Sequence, residues 1–377
     1  MDRAAYINLD AISHNISTFK KHTKTSVMAV VKANAYGHAG SAYDIAEIVA
    51  AAEIGGADYV GVAHIDEAIA LRKTGVKLPI LAWLHTPTSD FSQAAELDIE
   101  IGISSYLDLA KCAKLRQAPV VHIKLDTGLG RNGITKAEQL GIFTKALKLQ
   151  EQGVIKVKGI FSHFAVADEP ERPETTEQLN EFKEALKLAK SIGLDFAVKH
   201  IANTAAAITR PDTYFDMVRV GIGTYGLKPL VTDLPLQPAM TFKTYISKVK
   251  KVKAGQGVSY GLNYQTKSPS TLGLVPVGYA DGIPRTSKLG PVKYRGKTYQ
   301  VIGNVAMDQV VIDFEDADSA NYEVISNDQS LNEVIIFGDM EPTADDWAQA
   351  AGTINYEIVT RIGARVPRIL MKDGHAI

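Results

Sequence analysis

The chain has 377 residues, 46% of them hydrophobic and 22% charged, with a net charge of −1; this excludes a disordered polypeptide and offers no basic surface for nucleic acid. The length exceeds one ordinary domain, so a barrel-sized domain with a smaller companion is expected. No apolar run reaches the roughly 18 residues that span a bilayer, no leader-like segment opens the sequence, and the single cysteine, Cys112, excludes an internal disulfide framework. These features predict a cytoplasmic protein, with no membrane or nucleic-acid partner, acting on a small molecule.

In chain order, short β-rich runs alternate with amphipathic helical stretches. The predicted strands are Ser26–Lys32, Tyr59–Ala63, Leu78–Leu84, Ile99–Ser104, Val120–Asp126, Val157–His163, Ala197–Asn203 and Phe215–Ile222. Helical patterns between them include HIDEAIALRKTG, AEQLGIFTKALKLQE and TTEQLNEFKEALKLAKSIG, the last two closing near a glycine as helix C-termini do. Eight such βα units predict an α/β fold, a (β/α)8 TIM barrel over residues 1–235. An open doubly wound sheet would require a phosphate loop after the first strand, and ANAYGHAG is not G-x-G-x-x-G.

Beyond Leu227 the pattern changes. Pro235 and Pro238 mark a boundary, and strand-like runs separated by glycines and polar turns follow: FKTYISKVKKV, STLGLVPVGYADG, KYRGKTYQVIGNVAMDQVVIDF and EVIIFG. Residues 236–377 therefore read as a mainly-β C-terminal domain, closed by a short helix in TADDWAQAAGT and the segment NYEIVTRIGARVPRILM.

A barrel enzyme assembles its site where the strands end. Those ends carry Lys32, Trp83, Lys124 with Arg131 beyond it, His163, Asn203 with Thr204, and Arg219 with Gly221. Lys32 closes the apolar run VMAVV. An ammonium among apolar neighbours loses hydration, its pKa falls, and the neutral amine becomes a base or a nucleophile toward a carbonyl. The competing account is a lysine that snorkels or pairs with a carboxylate. Cys112, in the helical pattern YLDLAKCAKLRQ, reads as a small buried thiol.

The motifs VVKANAYGH, HIKLDTGLGRNG, FSHFA, HIANTAA, VRVGIGTYG, VSYG, GYADG, MDQ, NYEI and RVPR occur in this order over nearly the whole chain. In them the sequence resembles the bacterial alanine racemases. The resemblance implies a pyridoxal 5′-phosphate (PLP) enzyme with an N-terminal barrel and a C-terminal β domain. It further implies a homodimer with active sites shared between subunits, L-alanine and D-alanine as substrates, D-alanine supplied for peptidoglycan, and no metal.

Residue by residue, the resemblance implies that Lys32 binds PLP covalently and acts as one base, while Tyr260 serves the opposite face. Racemisation requires this arrangement in its simplest form, since a proton leaves one face of a planar centre and another arrives on the other. A free tyrosine has a pKa of about 10, so such a base needs cationic or hydrogen-bonding support. His163, Arg219 and His200 match the residues that provide it. Arg219 would face the pyridine nitrogen, where a donor without an acceptor keeps the ring unprotonated and makes it a weaker electron sink. Tyr36, Thr204, Gly221, Ile222 and Tyr356 match the phosphate cup, with threonine where the family often has serine. Arg131 and the Met307 amide match the substrate-carboxylate ligands. Lys124 is a candidate for carbamylation, its ordinary alternative being an ion pair with nearby Asp126. Where many relatives read GR-x-CMD, this chain has GNVAMD, with Asn304 and Ala306. Tyr356 and Tyr279 would line the entrance.

Three rival functions differ in what they require. A non-catalytic PLP-binding barrel protein needs no second domain bearing Tyr260, Met307 and Tyr356. A PLP decarboxylase lacks the paired Arg131 and Tyr260 contexts. A racemase acting on serine or several amino acids would want a wider pocket than one bounded by Tyr356.

Overall fold

The computed structural model describes residues 3–318 and 332–377. They divide into two compact units, one of residues Ala11–Ala35 and Ser41–Gln237, the other of residues up to Asp10, Tyr36–Gly40 and the chain from Pro238 onward. The expected division at residues 235 and 236 follows chain order, whereas the first strand, β1 (Ala4–Asn8), belongs to the later part of the chain. β1 pairs antiparallel with Met240–Tyr245 and parallel with Arg368–Lys372, so its backbone groups are satisfied there.

Among the described residues of the first unit, eight parallel strands follow: β2 (Ser26–Val30), β3 (Tyr59–Val62), β4 (Ile80–Ala82), β5 (Ile99–Ile103), β6 (Val120–Lys124), β7 (Lys156–Phe161), β8 (Val198–His200) and β9 (Met217–Val220). They lie side by side in the order β8-β7-β6-β5-β4-β3-β2-β9. The edges meet through Asp216 N–H donating to the Lys199 carbonyl (3.1 Å) and Arg219 N–H to the Ala202 carbonyl (3.0 Å), which closes the barrel. Each expected strand is present. The cores are almost wholly buried, as a parallel sheet covered on both faces requires, and this is why they read as continuous apolar runs. The helices Ile65–Lys73, Gln139–Glu151 and Glu174–Ser191 lie where the amphipathic patterns predict them.

Small residues make room inside the barrel. A Cβ on Gly61 would lie 2.6 Å from the Trp83 ring and 2.7 Å from Met28 Sδ, and one on Gly102 would lie 3.0 Å from Trp83 Cβ. Trp83, at the end of β4, thus packs against two glycine positions rather than presenting polar chemistry. Cys112 is buried, and burial with the nearby Asp108 pushes its thiol up to about 12, an inert packing residue as expected.

The second unit carries a sheet that is ten-stranded among the described residues. Its spatial order is Lys248–Val252, Ser270–Val275, Val310–Asp313, Lys297–Ile302, Pro291–Tyr294, Glu333–Phe337, Met240–Tyr245, β1, Arg368–Lys372 and His375–Ala376. The fold is therefore the expected barrel with a mainly-β C-terminal domain. The helix Ala344–Ala351 begins at a reciprocal cap between Thr343 and Asp346. It seats Trp347 in the core, where the indole Nε1–H donates to the Ile336 carbonyl at 2.6 Å.

Candidate active site

β2 ends at Val30, and Val31 N–H still donates to the Gly61 carbonyl of β3 at 2.9 Å. From Ala33 through Tyr36 the chain makes a left-handed helical turn, with φ of 54°, 53°, 52° and 53° at four successive non-glycine residues. Glu67 fixes its start: one carboxylate oxygen accepts from Ala33 N–H at 2.8 Å, and the other accepts from Ala63 and His64 N–H at 2.9 Å each. Lys32 opens this turn half-buried. Burial and then the positive charge of Arg131 lower its amine pKa, with Glu67 opposing. The sequence argument for an activated amine thus has its physical basis.

Arg219 lies on β9, 5% exposed. Its Nη1 donates to His200 Nδ1 (3.1 Å) and the His200 carbonyl (3.0 Å), and its Nη2 to the Ser162 carbonyl (2.7 Å), His163 Nδ1 (3.1 Å) and the Ile201 carbonyl (3.2 Å). Among the described residues no carboxylate pairs with it. Burial lowers its pKa to about 9, which leaves it protonated at neutral pH. Both imidazoles are neutral there: burial, then Arg219, hold His163 and His200 well below the usual range. The Phe161 ring stacks on His200, itself 0% exposed, with centroids 4.8 Å apart. Two further partners are not among the residues that the sequence singles out. His200 Nε2 lies 3.0 Å from His122 Nδ1, and His122 Nε2 lies 2.8 Å from Glu100.

β9 runs into the turn Gly221–Gly226, and the Thr204 hydroxyl accepts from Gly221 N–H at 3.0 Å, leaving its own O–H to donate. Asn203 caps the short helix that begins at Thr204 by accepting from Ala206 N–H at 3.0 Å. A Cβ on Gly223 would lie 2.7 Å from Phe19 and 2.8 Å from Thr204 Cγ2, so the turn admits only glycine there. An amine of lowered pKa, a guanidinium without a carboxylate, and hydroxyl and amide donors at a glycine turn form one donor set. That set fits the aldehyde, ring nitrogen and phosphate of PLP.

Lys124 ends β6, buried, and burial with the charges of Arg131, Arg219 and Lys32 brings its pKa to about 8. Asp126, the expected ion-pair partner, instead accepts from Gly128 N–H (3.0 Å) and Gly130 N–H (3.1 Å), shaping the loop that carries Arg131. Among the described residues no carboxylate makes an ion pair with Lys124.

In the second unit Tyr36 and Tyr356 face one another, ring centroids 6.4 Å apart, and burial, then Tyr356, raise the Tyr36 phenol above its usual range. Gly37 is held at φ 80° where a Cβ would lie 2.1 Å from the Val359 carbonyl oxygen. Tyr260 is 72% exposed and Met307 52%. The turn that bears Tyr260 is clasped from both sides: Asn304 Nδ2 donates to the Tyr260 carbonyl (2.7 Å) and Ser259 Oγ to the Asn304 carbonyl (2.6 Å). The departure at Asn304 therefore has a structural use. Among the described residues no group of histidine, cysteine and carboxylate side chains is arranged to hold a metal, and no helix is long and apolar enough to cross a membrane.

Known proteins place this arrangement. Family models described as "Alanine racemase, N-terminal domain" and "Alanine racemase, C-terminal domain" match residues 7–229 and 239–370. An alanine racemase of Thermobifida fusca is 44% identical over 378 residues, covering 97% of both chains, and one of Salinispora arenicola is 42% identical over 372 residues, covering 96% of both. A solved alanine racemase from Streptomyces coelicolor A3(2) matches with a TM-score of 0.92 at 40% identity, covering 99% of this chain and 98% of the other. With both parts matched in order and such relatives over almost its whole length, the chain belongs to the alanine racemase family.

Proposed function

We propose that the chain is a cytoplasmic, homodimeric, PLP-dependent isomerase that interconverts L-alanine and D-alanine and thereby supplies D-alanine for peptidoglycan. The observation that carries this reading is the depressed Lys32 amine together with a buried Arg219 that has no carboxylate partner among the described residues, inside a chain whose family is alanine racemase. When bound, PLP supplies an electron-accepting ring that acidifies the substrate Cα–H bond.

Lys32 would hold the cofactor through its amine, and the Thr204 hydroxyl, the Ile222 amide, and the Tyr36 and Tyr356 hydroxyls would hold its phosphate, while the Gly221 amide, expected to join them, instead braces the Thr204 hydroxyl. Arg219 would donate to the ring nitrogen. Because a guanidinium has no lone pair to accept with, the ring stays unprotonated and a weaker sink, which restrains transamination. Arg131 would bind the substrate carboxylate through its planar fork, joined by the Met307 amide.

Lys32 and Tyr260 would stand on opposite faces of Cα, each taking the proton in one direction and returning one in the other. Tyr260, Leu262 and Met307 are 72%, 59% and 52% exposed, which suits residues contributed to the site of a second copy. At pH values near 8 much of Lys124 is neutral. Its Nζ can add to the carbon of CO2 and shed a proton, and the resulting carbamate anion would relieve the repulsion among Arg131, Arg219 and Lys32.

The test is to incubate the purified holoenzyme with each alanine enantiomer in deuterated water. Deuterium enters Cα from both starting enantiomers and the antipode accumulates in both cases; no exchange with either would overturn the reading. Exchange with serine at a comparable rate would convert it to a broad-specificity racemase.

A further inference from the structure

A hydrogen-bonded chain leads outward from Arg219. It passes from Arg219 Nη1 to His200 Nδ1 (3.1 Å), from His200 Nε2 to His122 Nδ1 (3.0 Å), and from His122 Nε2 to Glu100 Oε2 (2.8 Å). It ends where Lys158 Nζ donates to Glu100 Oε1 at 2.6 Å. Both imidazoles are 0% exposed, Glu100 is 6% exposed, and only the Lys158 end reaches solvent.

The direction of every proton in this chain follows from its two ends. A guanidinium only donates, so His200 Nδ1 carries a lone pair and the neutral ring holds its hydrogen on Nε2. That hydrogen requires a lone pair on His122 Nδ1, which puts the His122 hydrogen on Nε2, aimed at Glu100. A carboxylate only accepts, so the outer end agrees with the inner one. Reversing either tautomer would set two hydrogens against each other at one buried contact and two lone pairs against each other at the next.

The fold makes room for this chain at a cost in sequence freedom. β6 and β7 pair His122 with Gly159, and a Cβ at Gly159 would lie 2.2 Å from His122 Nδ1. No positive φ requires glycine there. The ring of His122 does.

We infer that Glu100 and His122 are positioning residues for Arg219: the carboxylate anchors the tautomers of His122 and His200, so that His200 presents a lone pair to the guanidinium. Glu100, itself paired with Lys158, thereby acts on Arg219 through two polarised imidazoles instead of by direct contact. A carboxylate touching Arg219 would pull the guanidinium toward itself, whereas a neutral imidazole orients it and leaves the Nη2 hydrogens aimed at His163 and the Ser162 and Ile201 carbonyls. This inference rests on the reading of Arg219 as the partner of the cofactor ring.

The experiment is 15N NMR of histidine tautomers in the holoenzyme, with alanine racemisation kinetics on the same samples. In the unaltered protein His122 and His200 should both be neutral with hydrogen on Nε2. His122→Phe removes the acceptor of His200 and should leave its tautomers mixed, with kcat lowered about tenfold, as for loss of one buried hydrogen bond, and KM for alanine little changed. Gly159→Ala displaces the same ring without removing a polar group and should have the same two effects. An Nδ1–H tautomer at His200 in the unaltered protein overturns the inference, whatever the variants do. So does unchanged kcat in a folded variant whose His200 tautomer has shifted. Absence of racemisation in the unaltered protein would instead refute the functional reading, while the tautomer measurement would still decide the relay.

Discussion

Ala33 offers a test whose sign separates this structure from an ordinary helix. Replacing an exposed helical alanine with glycine normally destabilises by about 0.5–1 kcal/mol. Ala33, however, sits at φ 54° and ψ 54°, its methyl exposed, with its N–H held by Glu67. The left-handed conformation costs an L-residue roughly 1–2 kcal/mol, and glycine escapes that cost. Against this, glycine enlarges the unfolded ensemble by about 0.4–1 kcal/mol. The difference predicts that Ala33→Gly stabilises the protein by about 0.5–1 kcal/mol. Urea unfolding followed through the fluorescence of Trp83, inside the barrel, is the assay. Destabilisation by about 1 kcal/mol, the ordinary helical value, would refute the argument. A gain in stability with a loss of kcat would show that the strain serves to aim Lys32.

Lys124→Met addresses a charge rather than a conformation. Because the folded-state pKa of Lys124 is lowered to about 8, the unfolded chain binds more protons between that pH and the ordinary lysine value of about 10.4. The lysine therefore penalises the native state fully below pH 8, and the penalty fades as pH rises through the window. In CO2-free buffer the variant should be more stable at pH 7 and should lack that rise; equal slopes for both proteins would count against the cationic cluster. Asn304→Ala removes the bond to the Tyr260 carbonyl and should lower kcat about five- to tenfold with melting nearly unchanged, as for one hydrogen bond of about 1 kcal/mol. Unaltered kcat would mean that the turn holds its shape alone. Gly61→Ala forces a methyl against Trp83 and Met28 and should destabilise by about 1–3 kcal/mol in urea unfolding, whereas a neutral change would show that Trp83 yields easily.

Much of the barrel was legible because each strand is a short β-branched apolar run and each helix carries its own period. The polar groups at strand ends were legible for a related reason: Lys32, His163 and Arg219 interrupt sequences that are otherwise apolar. The same signal was present at Glu100 in IEIGIS and at His122 in VVHIKLD. That signal does not point to a site, because these residues lie inside their strands, away from the ends where barrel chemistry gathers. The pairing of β1 with strands more than two hundred residues away is a tertiary choice that no local pattern records. The left-handed turn after Lys32 is hidden for the opposite reason: KANAY has no glycine, and its alanines favour the right-handed helix. The clasp between Asn304 and the Tyr260 turn depends on two loops meeting, which sequence spacing does not foretell.

The central claim is that two residues serve two faces, with Lys32 and Tyr260 each taking one proton. Tyr260→Phe keeps the ring and deletes the hydroxyl, so the direct measurement is the rate of Cα deuterium exchange by this variant starting from L-alanine and, separately, from D-alanine. The account predicts that exchange starting from L-alanine falls far more than exchange starting from D-alanine, which Lys32 still serves. Equal losses from both enantiomers would contradict the assignment of the two faces.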